Sequence, residues 1–193
     1  VAVTDALRRA ASWLEEAGCI VEEATPPRYE EVLELHRALL HAERETGTLR
    51  DIERHGDDAV RRSMQGRIAG GTRPIPGRDT YTEAVALRSS ILRGWTLFFE
   101  RYPPLLMPIA LRHAMPAEYD QRGDAAVAEV MWANAPAHVT ALLGLCVPVG
   151  VADGAPTSVH LVAARFQDPF LLDVAAVIEA RAGVLTPIDP RNS

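Results

Sequence analysis

Apolar residues recur at helical spacing from the start of the chain. Leu7, Ala10, Ala11, Leu14 and Ala17 share one face, Thr4 is placed to cap the helix start, and Gly18 sits where a left-handed C′ residue belongs. The period then changes, and Cys19-Ile20-Val21-Glu22-Glu23-Ala24 reads as a short strand closed by Pro26-Pro27. Helical stretches are expected over 29–46, 49–55 and 57–69, with acids and arginines interleaved as on solvated faces. Glycines and prolines crowd 70–79, which predicts a loop. The longest helix is predicted over 80–102, with Ala84, Leu87, Ile91, Trp95, Phe98 and Tyr102 along one stripe. A helix packed on a sheet accounts for that stripe without a cofactor.

The remaining third mixes both periods. Leu105-Leu106-Met107 reads as a buried strand ended by Pro108, and 124–143 as helical with a break or fresh start at Pro136. Two strands, 145–151 and 158–163, flank the turn signal Asp153-Gly154 and predict a hairpin. Pro148 inside the first implies an edge position or a bulge, or else an amide hydrogen that no neighbour needs. A closing helix over 169–182 stops at Gly183 and Pro187. The result is a helix-rich α/β chain with too few strands for a wide doubly wound sheet.

Composition narrows the chemistry. The 193 residues carry 26 acids against 20 basic residues, a net charge of −6, which disfavours nucleic acid and anionic lipid surfaces as partners. The uncharged run 130–152 has the length of a membrane span, but Pro136, Gly144, Pro148 and Gly150 break it into shorter, core-type elements. Cys19 and Cys146 have no paired spacing and read as buried or half-buried thiols of a reducing, cytoplasmic compartment. All 20 basic residues are arginine. Any mechanism that needs a lysine is therefore incomplete within these residues.

No self-contained catalytic set emerges. His36 and His41 lie about 140° apart around a helix, His41 and Glu45 share a face without a third ligand, and no metal or other cofactor is expected. The glycine-containing stretches lack a strand–glycine–helix order. Ser89 and Ser90 fall mid-helix, where hydroxyls bond back to carbonyls, and a hydrophobic strand raises the pKa of Cys146.

Several short motifs occur in order: Ala17-Gly18 followed by Val21-Glu22, the segment from Trp95 to Pro108, Val147-Pro148-Val149-Gly150, Gly154-Ala155-Pro156, Val159-His160-Leu161-Val162, Arg165-Phe166, Ile178-Glu179 and Thr186-Pro187-Ile188-Asp189-Pro190. Together they resemble the C-terminal portion of the amidase-signature family, the Ser-cisSer-Lys amidases. The resemblance implies a mixed-sheet α/β fold in which this chain is the C-terminal part of one amidase domain. A helical substrate-side region would span about 28–102, and a sheet-completing hairpin and closing helix about 144–183. The family's triad lies in the N-terminal half, so no catalytic residue is expected here, and Val1 in place of an initiator methionine agrees with a fragment or a processed chain.

The resemblance further implies a small-molecule amide substrate bound by the intact enzyme, with Trp132 and His138 in the wall of its acyl pocket. An exposed sheet edge would favour homo-oligomers. The chain departs from the family pattern at His138 (asparagine), Ala141 (glycine), Leu143 (proline), Ser158 (glycine) and His160 (glutamine), which implies a diverged member of the family or an altered turn geometry near 141–143. Two alternatives stand beside this reading. One is a non-catalytic amidase-derived binding or subunit module, and the other a small enzyme using His138 or His160.

Overall fold

The computed structural model describes residues 2–43, 47–69, 81–112, 115–122, 130 and 132–183. The expected loop over 70–79, the helical stretch 124–129, Glu45 and the tail with Pro187 lie outside the described residues. The order is α1 (Ala2–Glu16), α2 (Tyr29–Glu43), α3 (Leu49–His55), α4 (Asp58–Ala69), α5 (Tyr81–Arg101), β1 (Leu105–Pro108), 3-10 turns Tyr119–Arg122 and Trp132–Asn134, α6 (Ala135–Thr140), β2 (Leu143–Ala152), β3 (Ala155–Ala163) and α7 (Asp168–Ala182). No helix among the described residues is long and apolar enough to cross a membrane.

The hairpin organises the rest. β2 and β3 pair around Asp153-Gly154, β1 pairs with the other side of β3, and the antiparallel order is β1-β3-β2. Alternate residues of β3 therefore face opposite layers. Val159, Leu161 and Ala163 pack with Ala6, Ala10 and Leu14 of α1 and Leu171, Ala175 and Ile178 of α7. Val162 faces the other way, onto Val32, Leu35 and Leu39 of α2, Ile91 and Trp95 of α5, and Ala137 and Val139 of α6. β2 is an edge strand, and its register shifts between Pro148 and Gly150, so the proline occupies both of the settings expected for it.

Two helix ends follow their sequence signals. Gly18 has φ +94°, and the Gly18 and Cys19 amides donate to the Glu15 and Leu14 carbonyls, the paired bonds of a Schellman cap. Gly183 donates to Glu179 at the end of α7. On α5 the fully buried stripe is Ala84, Leu87, Ile91, Trp95 and Phe99, with Phe98 and Tyr102 half-buried beside it. The Trp95 indole donates to the Pro27 carbonyl at 3.0 Å, tying α5 to the start of α2.

Four expectations need correction. Thr4 does not cap α1, which already begins at Ala2. Both cysteines are exposed. Leu143 opens β2 and so lies outside the helical stretch; among the described residues of that stretch, Val130 and Ala135–Thr140 are α-helical and Trp132–Asn134 is a 3-10 turn. Residues 19–24 are not a strand: Ile20 is 90% exposed and no described strand lies alongside. Residue pattern selects extended backbone, but a strand exists only when a neighbour takes its hydrogen bonds.

The layered core sets a contrast between two apolar residues of α7. Ile178→Ala, at a side chain with no exposure, is expected to cost about 2–5 kcal/mol in denaturant unfolding. Leu172→Ala, at an exposed position, is expected to stay within about 0.5 kcal/mol.

Candidate functional site

Trp132 and His138 belong to one continuous turn of chain, the 3-10 turn Trp132–Asn134 running directly into α6. Pro136 stands in the first turn of α6, where its missing amide hydrogen costs nothing, so the expected break is a helix start. Ala135, Ala137 and Val139 face the core, which leaves His138 exposed and Trp132 half-buried at the rim.

Neighbouring residues of α2 meet both. The Arg37 guanidinium lies 3.6 Å over the Trp132 ring, and His36 stands edge-on to His138 with 6.1 Å between ring centroids. The cation–π stack shields the indole while leaving the charge in water. These contacts span about a hundred residues of sequence, and no local signal marks His36 or Arg37 as partners of the wall.

Arginines hold the end of α6. Arg88 of α5 donates to the Val139 carbonyl, and Arg165, just past β3, donates to the Ala141 and Thr140 carbonyls at 3.0 and 2.8 Å. Two cations on three terminal carbonyls satisfy orphan acceptors and oppose the negative end of the helix. Ala141 itself has φ +52°, in the left-handed region. Here alanine adopts the conformation that favours glycine and bears its strain.

His160, on the same face of β3 as Val162, is only 3% exposed, with no hydrogen-bond partner for its buried Nδ1. Burial, and secondarily the neighbouring His138, holds this imidazole below the ordinary histidine range. Its seat depends on Gly144 across the hairpin, because a Cβ there would lie 2.5 Å from Nε2. Cys146, directly opposite His160 on β2, is exposed, yet partial desolvation still pushes its thiol up.

This arrangement suits recognition better than bond breaking. Ser89 bonds back to the Val85 carbonyl at 3.4 Å and Ser90 accepts from Arg28, so neither meets a base. No group of three or more His, Cys, Asp or Glu among the described residues is arranged to hold a metal. The side chain of His41 is outside the described residues, as is His113. The half-buried Trp132 ring, capped by the Arg37 guanidinium, and the exposed His138 imidazole instead make a rim that carries positive charge and hydrogen-bond donors. Two substitutions test its anchoring. Ala141→Gly is expected to raise stability by up to about 1 kcal/mol by relieving the left-handed alanine. Arg165→Met is expected to lower it by about 1–3 kcal/mol, both read from denaturant midpoints.

Comparison with known proteins places this geometry. The family model described as Amidase matches residues 1–172. Indoleacetamide hydrolase of Bradyrhizobium diazoefficiens is 31% identical over 188 residues, covering 95% of this chain and 36% of the relative. A glutamyl-tRNA(Gln) amidotransferase component of Streptococcus gordonii is 26% identical, the match covering 92% of this chain and 41% of that relative. Kluyveromyces lactis allophanate hydrolase shares the fold with TM-score 0.68 at 22% identity, over 92% of this chain and 29% of that one. The chain therefore spans less than half the length of these relatives. A match over 172 residues, with the same fold in a solved relative, establishes that this chain belongs to the amidase family.

Proposed function

We propose that the protein carrying this chain hydrolyses a carboxamide C–N bond, and that residues 1–193 form the C-terminal part of its amidase fold. Water adds to the carbonyl carbon and the C–N bond breaks, giving a carboxylic acid and an amine or ammonia. The observation that carries this reading is the family match over 1–172 in a chain that spans 36% of an indoleacetamide hydrolase. The nucleophile and the lysine base belong to the part outside these residues, in keeping with 20 basic residues that are all arginine. An arylacetamide is the substrate class to try first, by analogy with that relative.

Within this reading each part has a task. The hairpin and closing helix, about 144–183, complete the sheet, and the helical region, about 28–102, lies on the substrate side. Trp132 and His138 form part of the acyl-pocket wall, backed by Arg37 and His36. The unpaired 19–24 segment supports the same view, since a β-type sequence with Ile20 at 90% exposure is suited to pair with a strand beyond this chain. The described sheet edges are poorer pairing sites. β1 has four residues and ends in proline, and β2 carries Pro148 and a bulge. Self-association through them is accordingly disfavoured.

The chain alone is expected to release no ammonia from phenylacetamide or indoleacetamide. Co-expression with the upstream segment of its own reading frame is expected to restore turnover, and Ile20→Asp to weaken that complementation without lowering the chain's own stability. Ammonia release by the pure 193-residue chain would overturn the assignment of the chemistry to the absent part.

A further inference from the structure

His160 occupies the place where the family pattern has glutamine, and Gly144 lies diagonally across the hairpin from it. The two residues fit one another sterically. An alanine at 144 would put its Cβ 2.5 Å from the imidazole Nε2 and 3.2 Å from Cε1, closer than a ring can tolerate. The ring thus occupies the space that a side chain at residue 144 would enter.

Its surroundings are unusual for a titratable group. His160 is 3% exposed in a layer that is otherwise apolar, and its Nδ1 has no partner. Of the charged and titratable groups on the packed elements, His138 on α6 acts on it electrostatically and Cys146 on β2 stands directly opposite, while His36 and Arg37 on α2, Arg88 on α5 and Arg165 after β3 are engaged with His138, Trp132 and the α6 carbonyls. On β1 the opposite residue is Met107, which carries no charge. Among these described groups there is no acid. On α2, Glu34 lies about 160° round the helix from His36, and Glu43 about 10 Å further along the axis. A proton on His160 would sit on a buried side chain, with Nδ1 shut off from water and His138 as a neighbour of like charge.

The geometry points to an acid-sensitive latch: Gly144, His160 and His138 hold α6 and the Trp132–His138 wall against the sheet while His160 is neutral, and the wall loosens when it takes a proton. A histidine whose native pKa lies below its unfolded value binds fewer protons when folded. Stability is then full above the unfolded value of about 6.5 and falls as pH drops below it. A glutamine at the same place has no such response. The latch is a property of packing and does not depend on the catalytic reading above, so its test uses no substrate.

Hydrogen exchange of residues 135–140, corrected for intrinsic rates, should be measured on the full chain at pH 7.5 and 5.5 together with thermal midpoints. The expected result is a severalfold faster α6 exchange and a lower midpoint at pH 5.5, both absent in His160→Gln. Gly144→Ala is expected to lower the midpoint at both pH values by displacing the ring, and Gly144→Ala with His160→Gln to recover it and to be insensitive to pH. His138→Gln, which removes one like charge, is expected to lessen the loss at pH 5.5. Equal pH responses of the wild type and His160→Gln would overturn the latch. A double variant no more stable than Gly144→Ala would overturn the steric pairing on which it stands.

Discussion

The structure depends on β3 being buried on both faces. Val159, Leu161 and Val162 have no exposure, and they point alternately into the two helical layers. Each such side chain contributes about 1.5–3 kcal/mol when fully removed from water. Both cores therefore draw on the same strand, and neither layer has a wall without it. β1 and β2 supply its ladder bonds on either side, and the Asp153-Gly154 turn sets the register that sends odd and even residues to their layers. A slip of one residue would exchange the faces and bring His160 into the wrong core.

The wall follows from that arrangement. α6 is only six residues long and cannot hold its shape through its own hydrogen bonds. It is fixed instead by Ala137 and Val139 in the core, by Arg88 and Arg165 on its final carbonyls, and by the left-handed Ala141 that returns the chain to β2. The rim left over is polar and basic. It presents the Trp132 edge, the His138 imidazole and the Arg37 guanidinium side by side.

Helices, hairpin and edge proline were legible because their signals are local: periodicity from Leu7 to Ala17, the Gly18 stop, Asp153-Gly154, and Pro148. The 49–55 helix and the closing helix fall within a residue of their expected bounds. Residues 19–24 misled because strand pattern describes a residue's preference, whereas pairing is a property of two segments. Trp132 and His138 were singled out through family resemblance alone, and the structure sets both beside α2. Arg37, His36 and Gly144 were not reachable, since their roles arise from contacts between distant elements. Gly144 reads as a turn former in sequence, and only the ring of His160 packed against it reveals why a side chain is excluded.

The central claim is that these residues are one part of a larger amidase. The most direct test is the intact mass of the native protein from its source cells, set against the 21.0 kDa of this chain. A mass well over twice that value, or a 21.0 kDa chain that co-purifies with a lysine-bearing amidase segment, is the result the account predicts. A lone 21.0 kDa protein with no such partner would contradict it.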